Sequence, residues 1–156
     1  MVYVFDSSSL MVLENYYPDR FPSFWKHISA LADGKQLVSV SEVSKELDHK
    51  NTRDFLLDWV KVRQGLFTTP TTAETSFVAG IFAVTRFQAL VKPKNRLKGS
   101  PVADPWVIAR ASELKGTVVT KESTDLKLVR IPAVCSHFNV PCLNVQGVMA
   151  NEGWQY

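Results

Sequence analysis

VYVFDSSSL, residues 2–10, decides the fold. Val2 to Phe5 is a β-branched and aromatic run that reads as a short strand, the run ends at Asp6, and the serines behind it can cap a helix over Leu10 to Tyr17. A strand that feeds directly into a helix is the opening of a crossover connection, and the rest of the chain repeats that move.

Working outward, Pro18 and Pro22 break the pattern, and Phe24, Ile28 and Leu31 then recur at helical spacing until Gly34. Leu37, Val38 and Val40 form a second strand. Ser41 can cap a helix through Leu47, and a further helix is expected from Phe55 to Arg63 beyond a joint at Asn51 and Thr52. Phe77, Ile81, Val84 and Gln88 trace one face of a longer helix reaching Val91; its other faces are apolar too, so it is expected to be buried on more than one side or to form a dimer face. Val107, Ala111 and Leu114 mark a helix ended by Gly116. Thr117 to Thr120 is a third strand, Ile131 to Phe138 a short helix, Pro141 to Val145 a fourth strand, and Val148 opens a terminal helix. Strands alternating with helices predict a parallel sheet with helices on both faces, because parallel neighbours need crossovers and these are nearly always right-handed. One three-layer α/β/α domain over residues 1–156, with a central, mainly parallel sheet of about four strands, is expected; there is no internal repeat, low-complexity tract or linker to divide it.

Composition sets the boundaries of function. The 156 residues are 46% apolar and 21% charged, ordinary globular proportions with no disordered signature, and the net charge of +3 does not repel a polyanion. The two cysteines, Cys135 and Cys142, form no C-x-x-C motif and fit core packing in a reducing compartment. The N-terminal stretch has no basic region before its apolar run and reaches an aspartate at residue 6, so no signal peptide is expected. The longest uncharged apolar run, Phe77 to Val84, falls short of the ~20 residues of a membrane span, so the cytoplasm is the expected compartment and no membrane partner is expected.

Ligands of open parallel sheets bind beyond the carboxyl ends of the strands, so acids placed there carry weight. Asp6 follows VYVF, Glu122 follows TVVT by one residue, and Glu46 lies on the helix that begins as LVSV ends. Asp104 stands before Pro105, a position suited to a helix cap with the proline first in the helix. Singly each has a plain explanation: Asp6 and Asp104 as caps, Glu46 paired with Lys50 at i+4, Glu122 as a solvated loop charge. Brought together, carboxylates repel and resist desolvation unless a cation sits among them, and an all-oxygen set suits Mg²⁺ or Mn²⁺ rather than Zn²⁺.

The strings YVFDSSSL, VSVSEVSKEL, PVADPWVIARA, VVTKES and IPAVCSHFNVPCLNV, in this order and spacing, resemble the PIN-domain superfamily, and within it the PIN-like group of small stand-alone prokaryotic proteins. The resemblance covers nearly the whole chain and implies a Mg²⁺- or Mn²⁺-dependent ribonuclease with a four-acid pocket: Asp6, Glu46, Asp104 and Glu122 as catalytic metal ligands, with Ser8 supporting the metal shell. Two departures stand out. The fourth acid is commonly Asp, and Glu122 is longer. Glu42, one helical turn before Glu46 on the same face, is an alternative ligand. Many stand-alone relatives are toxins of toxin–antitoxin pairs and form dimers, which implies an antitoxin protein and a second copy of the chain as partners.

Water activated by such a metal would leave a 5′-phosphate and a 3′-hydroxyl on the RNA. Lys92, Lys94, Arg96 and Lys98 alternate in a loop just before Asp104, where they can grip the RNA backbone without reading sequence. Trp106 fits core better than base stacking, and His27, His49 and His137 show no ligand spacing; a Zn²⁺ site from His137, Cys135 and Cys142 lacks a fourth ligand. A haloacid-dehalogenase-type phosphatase needs a second aspartate at position 8, where serine stands, and a receiver-like domain needs adjacent acids in the opening loop. The remaining alternative is a non-catalytic PIN-like module that binds RNA or protein.

Overall fold

The structure, a computed structural model, describes residues 1–91 and 102–156. The Lys92, Lys94, Arg96 and Lys98 loop lies outside the described residues. Tyr3–Phe5 is the central strand, β1, with all three side chains buried. It runs into α1 (Ser7–Val12), and a turn of 3₁₀ helix and α2 (Pro22–Asp33) lead to β2 (Leu37–Val40). Pro22 begins α2 instead of merely interrupting the chain, which suits a residue whose missing N–H costs nothing in a first turn. Next come α3 (Ser41–His49), α4 (Asp54–Lys61), β3 (Phe67–Thr68) and α5 (Thr72–Ala83). After the undescribed stretch follow α6 (Asp104–Leu114), β4 (Thr117–Val119), α7 (Ile131–His137), β5 (Cys142–Leu143) and α8 (Val145–Glu152).

The sheet has five strands in the order β3-β2-β1-β4-β5, every pair parallel. Helices flank it, so its inner strands read as continuous apolar runs without alternation. Helix α6 is buried through Val107, Ile108, Ala109 and Ala111, and packs on β1, β2 and β4. From β1 the chain first builds β2 and β3 on one side, then crosses to β4 and β5 on the other. The topological switch therefore falls between β1 and β4, where a crevice opens at the strands' carboxyl ends.

Three expectations need correction. The fifth strand, β3, is two residues long and has no periodicity to betray it; it exists because Ser39 and Val40 offer an edge to Phe67 and Thr68. The helix expected to continue to Val91 stops at Ala83. Val84 takes an extended ψ of 108°, and Thr85–Leu90 follows as 3₁₀ helix, so Val84 and Gln88 do not extend the α5 face. Nor is α5 buried on several sides: Glu74, Val78 and Ile81 face inward, while Ala79, Gly80 and Ala83 are exposed. Its start is fixed by a capping box between Thr71 and Glu74, and the buried Glu74 also meets Arg110 at 3.4 Å.

The end of α6 shows a division of labour. Lys115, not Gly116, takes the left-handed conformation, at φ 53°. Gly116 is required by proximity: a Cβ there would lie 2.7 Å from the carbonyl oxygen of Val2, which accepts the Thr117 amide at 2.9 Å as β4 joins β1. Replacing Gly116 by alanine must push these backbones apart. We expect Gly116→Ala to destabilise the protein by about 1–3 kcal/mol in a denaturant titration, against under about 1 kcal/mol for alanine at the exposed, uncrowded Gly65.

Candidate functional site

At the switch point Asp6 is both cap and acid. Its Oδ1 accepts the Ser9 amide at 2.8 Å, which starts α1, and its carboxylate is only 2% exposed. Ser8 Oγ donates to the same carboxylate at 2.8 Å, and Thr120 Oγ1 donates to Oδ2 at 2.6 Å from the end of β4. Ser8 also accepts the Lys121 amide at 3.0 Å. The opening serines thus tie α1 to β4 across the switch, and Ser9 Oγ adds a bond to the Val119 carbonyl at 2.8 Å.

Glu46 reaches the same crevice from α3. Its Oε1 accepts from Ser7 Oγ at 2.9 Å, and its Oε2 accepts the Ala103 amide at 3.4 Å, just ahead of Asp104. Lys50 does not pair directly with Glu46; its Nζ donates to Ser7 Oγ at 3.0 Å, giving a Lys50–Ser7–Glu46 chain. Glu42 is half-buried and pairs with Lys45 of its own helix at 2.8 Å. Asp104 is the first residue of α6, not its cap: Ala103 is the cap, and no side chain caps the helix. Its carboxyl is left to hydrogen-bond with Glu122. Glu122 Oε2 accepts the Ile131 amide at 3.0 Å, so this acid is held by the first turn of α7 instead of lying free in a loop.

The electrostatics show that these four acids share one environment. Burial pushes Asp104 well above the usual carboxylate range, and the charges of Glu122, Asp6 and Glu46 push it further. Asp6 is raised by burial against the opposing hydrogen bonds of Thr120, Ser9 and Ser8. Glu46 is raised by burial against Ser7 and the Lys50 charge, with Asp6 adding repulsion. Among the described residues no three Asp, Glu, His or Cys groups close on a single point at metal-ligand spacing; Glu46 and Glu122 are each turned onto a backbone amide. The donor set is nevertheless all oxygen, buried at Asp6 and half-buried at the other three acids, and mutually repelling, which is the chemistry a hard divalent cation relieves. Nearby, Cys135 is a free and fully buried thiol packed in the core. Trp106 is half-buried against the core.

The structure therefore brings together Asp6, Glu46, Asp104, Glu122 and Ser8, and leaves Glu42 in an ion pair with Lys45. It adds Ser7, Thr120 and Lys50, which the sequence reading did not place in the site. Thr120 was findable by the argument that found Asp6, since it too is a polar residue where a strand stops. Ser7 was not, because three consecutive serines give no reason to choose one.

The parallel sheet, the strand order and the acidic crevice at the switch define a PIN-like α/β fold. Residues 3–156 match the family described as Domain of unknown function (DUF4411), and the chain belongs to that family. Among solved structures it is similar to a chain of VapBC2 from Rickettsia felis bound to a DNA fragment from their promoter, at 16% identity and a TM-score of 0.54, covering 92% of this chain and 98% of that one. Comparison with curated proteins finds no match. Among the described residues no helix is long and apolar enough to cross a membrane.

The raised carboxyls have a consequence for stability. A group that holds its proton more tightly when folded contributes stability that is complete below the unfolded pKa, about 4 for a carboxyl, and is lost as pH rises through the folded value. Asp104→Asn removes one charge and still offers Glu122 a donor. In metal-free denaturation we expect this variant to match wild type near pH 4 and to become progressively more stable than wild type toward pH 7, with added Mg²⁺ narrowing the gap.

Proposed function

We propose that this protein is a Mg²⁺- or Mn²⁺-dependent endoribonuclease. The observation that carries this reading is the convergence of Asp6, Glu46, Asp104 and Glu122 at the switch point, with burial raising three of them and repulsion from neighbouring acids adding to it at Glu46 and Asp104. Such a cluster costs stability at neutral pH unless a cation or a phosphate-bound metal relieves it. Asp6, Glu46 and Asp104 would hold the ion, and Glu122 would hold a second ion or orient the attacking water. A bound divalent cation supplies charge neutralisation at the phosphate and a lowered pKa for water.

The chain's own residues do the rest. Ser8 and Thr120 keep the Asp6 carboxylate in one rotamer by donating to it, so its free lone pairs point one way. Ser7, itself bonded to Lys50, does the same for Glu46. Water adds to phosphorus, the bond from phosphorus to the 3′-oxygen breaks, and that oxygen leaves with a proton, giving a 5′-phosphate and a 3′-hydroxyl. Lys92, Lys94, Arg96 and Lys98 would hold the RNA backbone by charge alone.

The resemblance carried by the opening and closing motifs extends the proposal to a toxin of a toxin–antitoxin pair, acting in the cytoplasm, with an antitoxin protein as partner and a homodimer as the working form. The fold likeness to VapBC2 is in keeping with it. The deciding experiment incubates a mixed transfer and ribosomal RNA pool with the protein and Mg²⁺ or Mn²⁺. We expect fragments with 5′-phosphate ends that EDTA abolishes and Asp6→Asn reduces at least about 100-fold. A folded protein that yields no fragments with either ion would be a non-catalytic binding module.

A further inference from the structure

Two cavities open at the carboxyl edge of the sheet beside the acidic crevice, and they share a wall. The larger, about 310 Å³, takes in Thr120 and Glu122 on its acidic side and Leu126, Pro132, Ser136 and Leu143 on its others. The smaller, about 200 Å³, is bounded by Val12, Tyr16, Val145 and Gln146. Lys121 and Asn144 border both, so they form a ridge with a hollow on each side.

The ridge and walls are fixed in place. The Lys121 amide donates to Ser8 Oγ at 3.0 Å, which leaves its side chain exposed above the ridge. Asn144 Oδ1 accepts the Gly147 amide at 2.9 Å to cap α8, so its side-chain NH₂ remains as a pair of donors without a partner among the described residues. The segment walling the larger cavity is tethered by Arg86 Nη2 to the Leu126 carbonyl and by Glu122 to the Ile131 amide. Leu126 is itself 52% exposed at that cavity, an apolar side chain kept in water. In the smaller cavity the Tyr16 ring is held by stacking on Phe24 at 4.0 Å.

Apolar walls, a few polar donors, a cation between two hollows and an acidic crevice at one end match the alternation of base and phosphate in a nucleic acid strand. The larger volume sits at the lower end of the ligand-pocket range, enough for one nucleoside and too little for a base pair with its backbones. The geometry points to a track for two consecutive unpaired nucleotides, one base in each cavity with the intervening phosphate on Lys121, leading into the acidic crevice at Glu122. This inference rests on the nuclease reading and deepens it, because it assigns the places of two unpaired bases and the phosphate between them to named residues of this chain. Bases must be splayed out of a duplex to enter such hollows.

The test measures binding without cleavage. A fluorescein-labelled single-stranded hexaribonucleotide of mixed sequence, and the same strand annealed to its complement, are titrated in EDTA at low salt and followed by anisotropy. Ser136→Trp fills the larger cavity, Gln146→Trp the smaller, and Lys121→Ala removes the ridge charge; all three positions are exposed, and circular dichroism checks that each variant is folded. We expect wild type to prefer the single strand and each substitution to weaken that binding by about tenfold. No single-strand binding by wild type, equal binding of the duplex, or variants all within about twofold of wild type would overturn the track. RNA cleaved by Asp6-dependent chemistry while the three variants bind normally would sink the track and leave the nuclease standing. The converse, loss of binding in the variants of a protein that never cleaves, would sink the nuclease and leave a single-strand binding track.

Discussion

Asp6 is a carboxylate at the end of the central strand with almost no access to bulk water, and the local structure is arranged around keeping it there. Burying such a group without partners costs several kcal/mol, so its lone pairs must be met. They are met by the Ser9 amide, which begins a helix, and by the Ser8 and Thr120 hydroxyls, which bind the first strand's exit to the fourth's. The bonds that satisfy the acid are thus also bonds that close the fold at its switch point. Sequence, topology and site meet in VYVFDSSSL because the residue that follows a strand, a helix's cap and the crevice's buried acid are one residue.

The second constraint is charge. Asp6, Glu46, Asp104 and Glu122 come from four separate parts of the chain, and Asp6, Glu46 and Glu122 are held by contacts that do not neutralise them: amides from Ser9, Ala103 and Ile131, hydroxyls from Ser7, Ser8 and Thr120. Among the described residues Lys50 brings a positive charge toward Glu46, and it does so through Ser7, not through a direct ion pair. Hydrogen bonds to neutral donors orient a carboxylate while leaving its charge available. A core built only for stability would replace such a group with an apolar side chain of similar volume, which is commonly neutral or stabilising.

How much of this was legible in the sequence follows from what generates each feature. Strands β1, β2 and β4 are dense apolar runs buried on both faces, and composition alone announces them. Strand β3 is not a property of Phe67 and Thr68; it is a property of the β2 edge they meet, so no local pattern reveals it. Helix α5 was overextended because apolar periodicity persists past Ala83, yet the backbone turns extended at Val84 and Phe87 is buried from a 3₁₀ turn. Of the site, the acids were legible because strand ends concentrate ligands in this class of sheet. Asp104 was read as a cap and is instead the first residue inside α6, and the displacement by one position is what points its carboxyl at Glu122 rather than at its own helix. Ser7 and Lys50 were not legible as a relay, since their meeting depends on the angle between α1 and α3.

The lysines nearest the acids complete the electrostatic argument. Lys121 is adjacent to Glu122 in sequence, and Lys50 lies one helical turn beyond Glu46. Glu46 and Glu122 are thus each accompanied in the chain by an exposed lysine, and neither lysine is locked into a direct ion pair with its acid among the described residues. On the proposed reading, an acid with a lysine beside it, repeated on two elements that arrive from opposite sides of β1, would draw a cation to the acids and an anion to the lysines. A phosphodiester carried on a divalent ion is the group with that polarity, since its metal-facing oxygens and its solvent-facing oxygens need opposite partners a few ångströms apart. A structural ion alone would account for the acids but leave the lysines without a counterpart, and a purely electrostatic RNA-binding surface would account for the lysines but place four carboxylates where they repel the ligand. The pairing of the two is what favours phosphate chemistry over either.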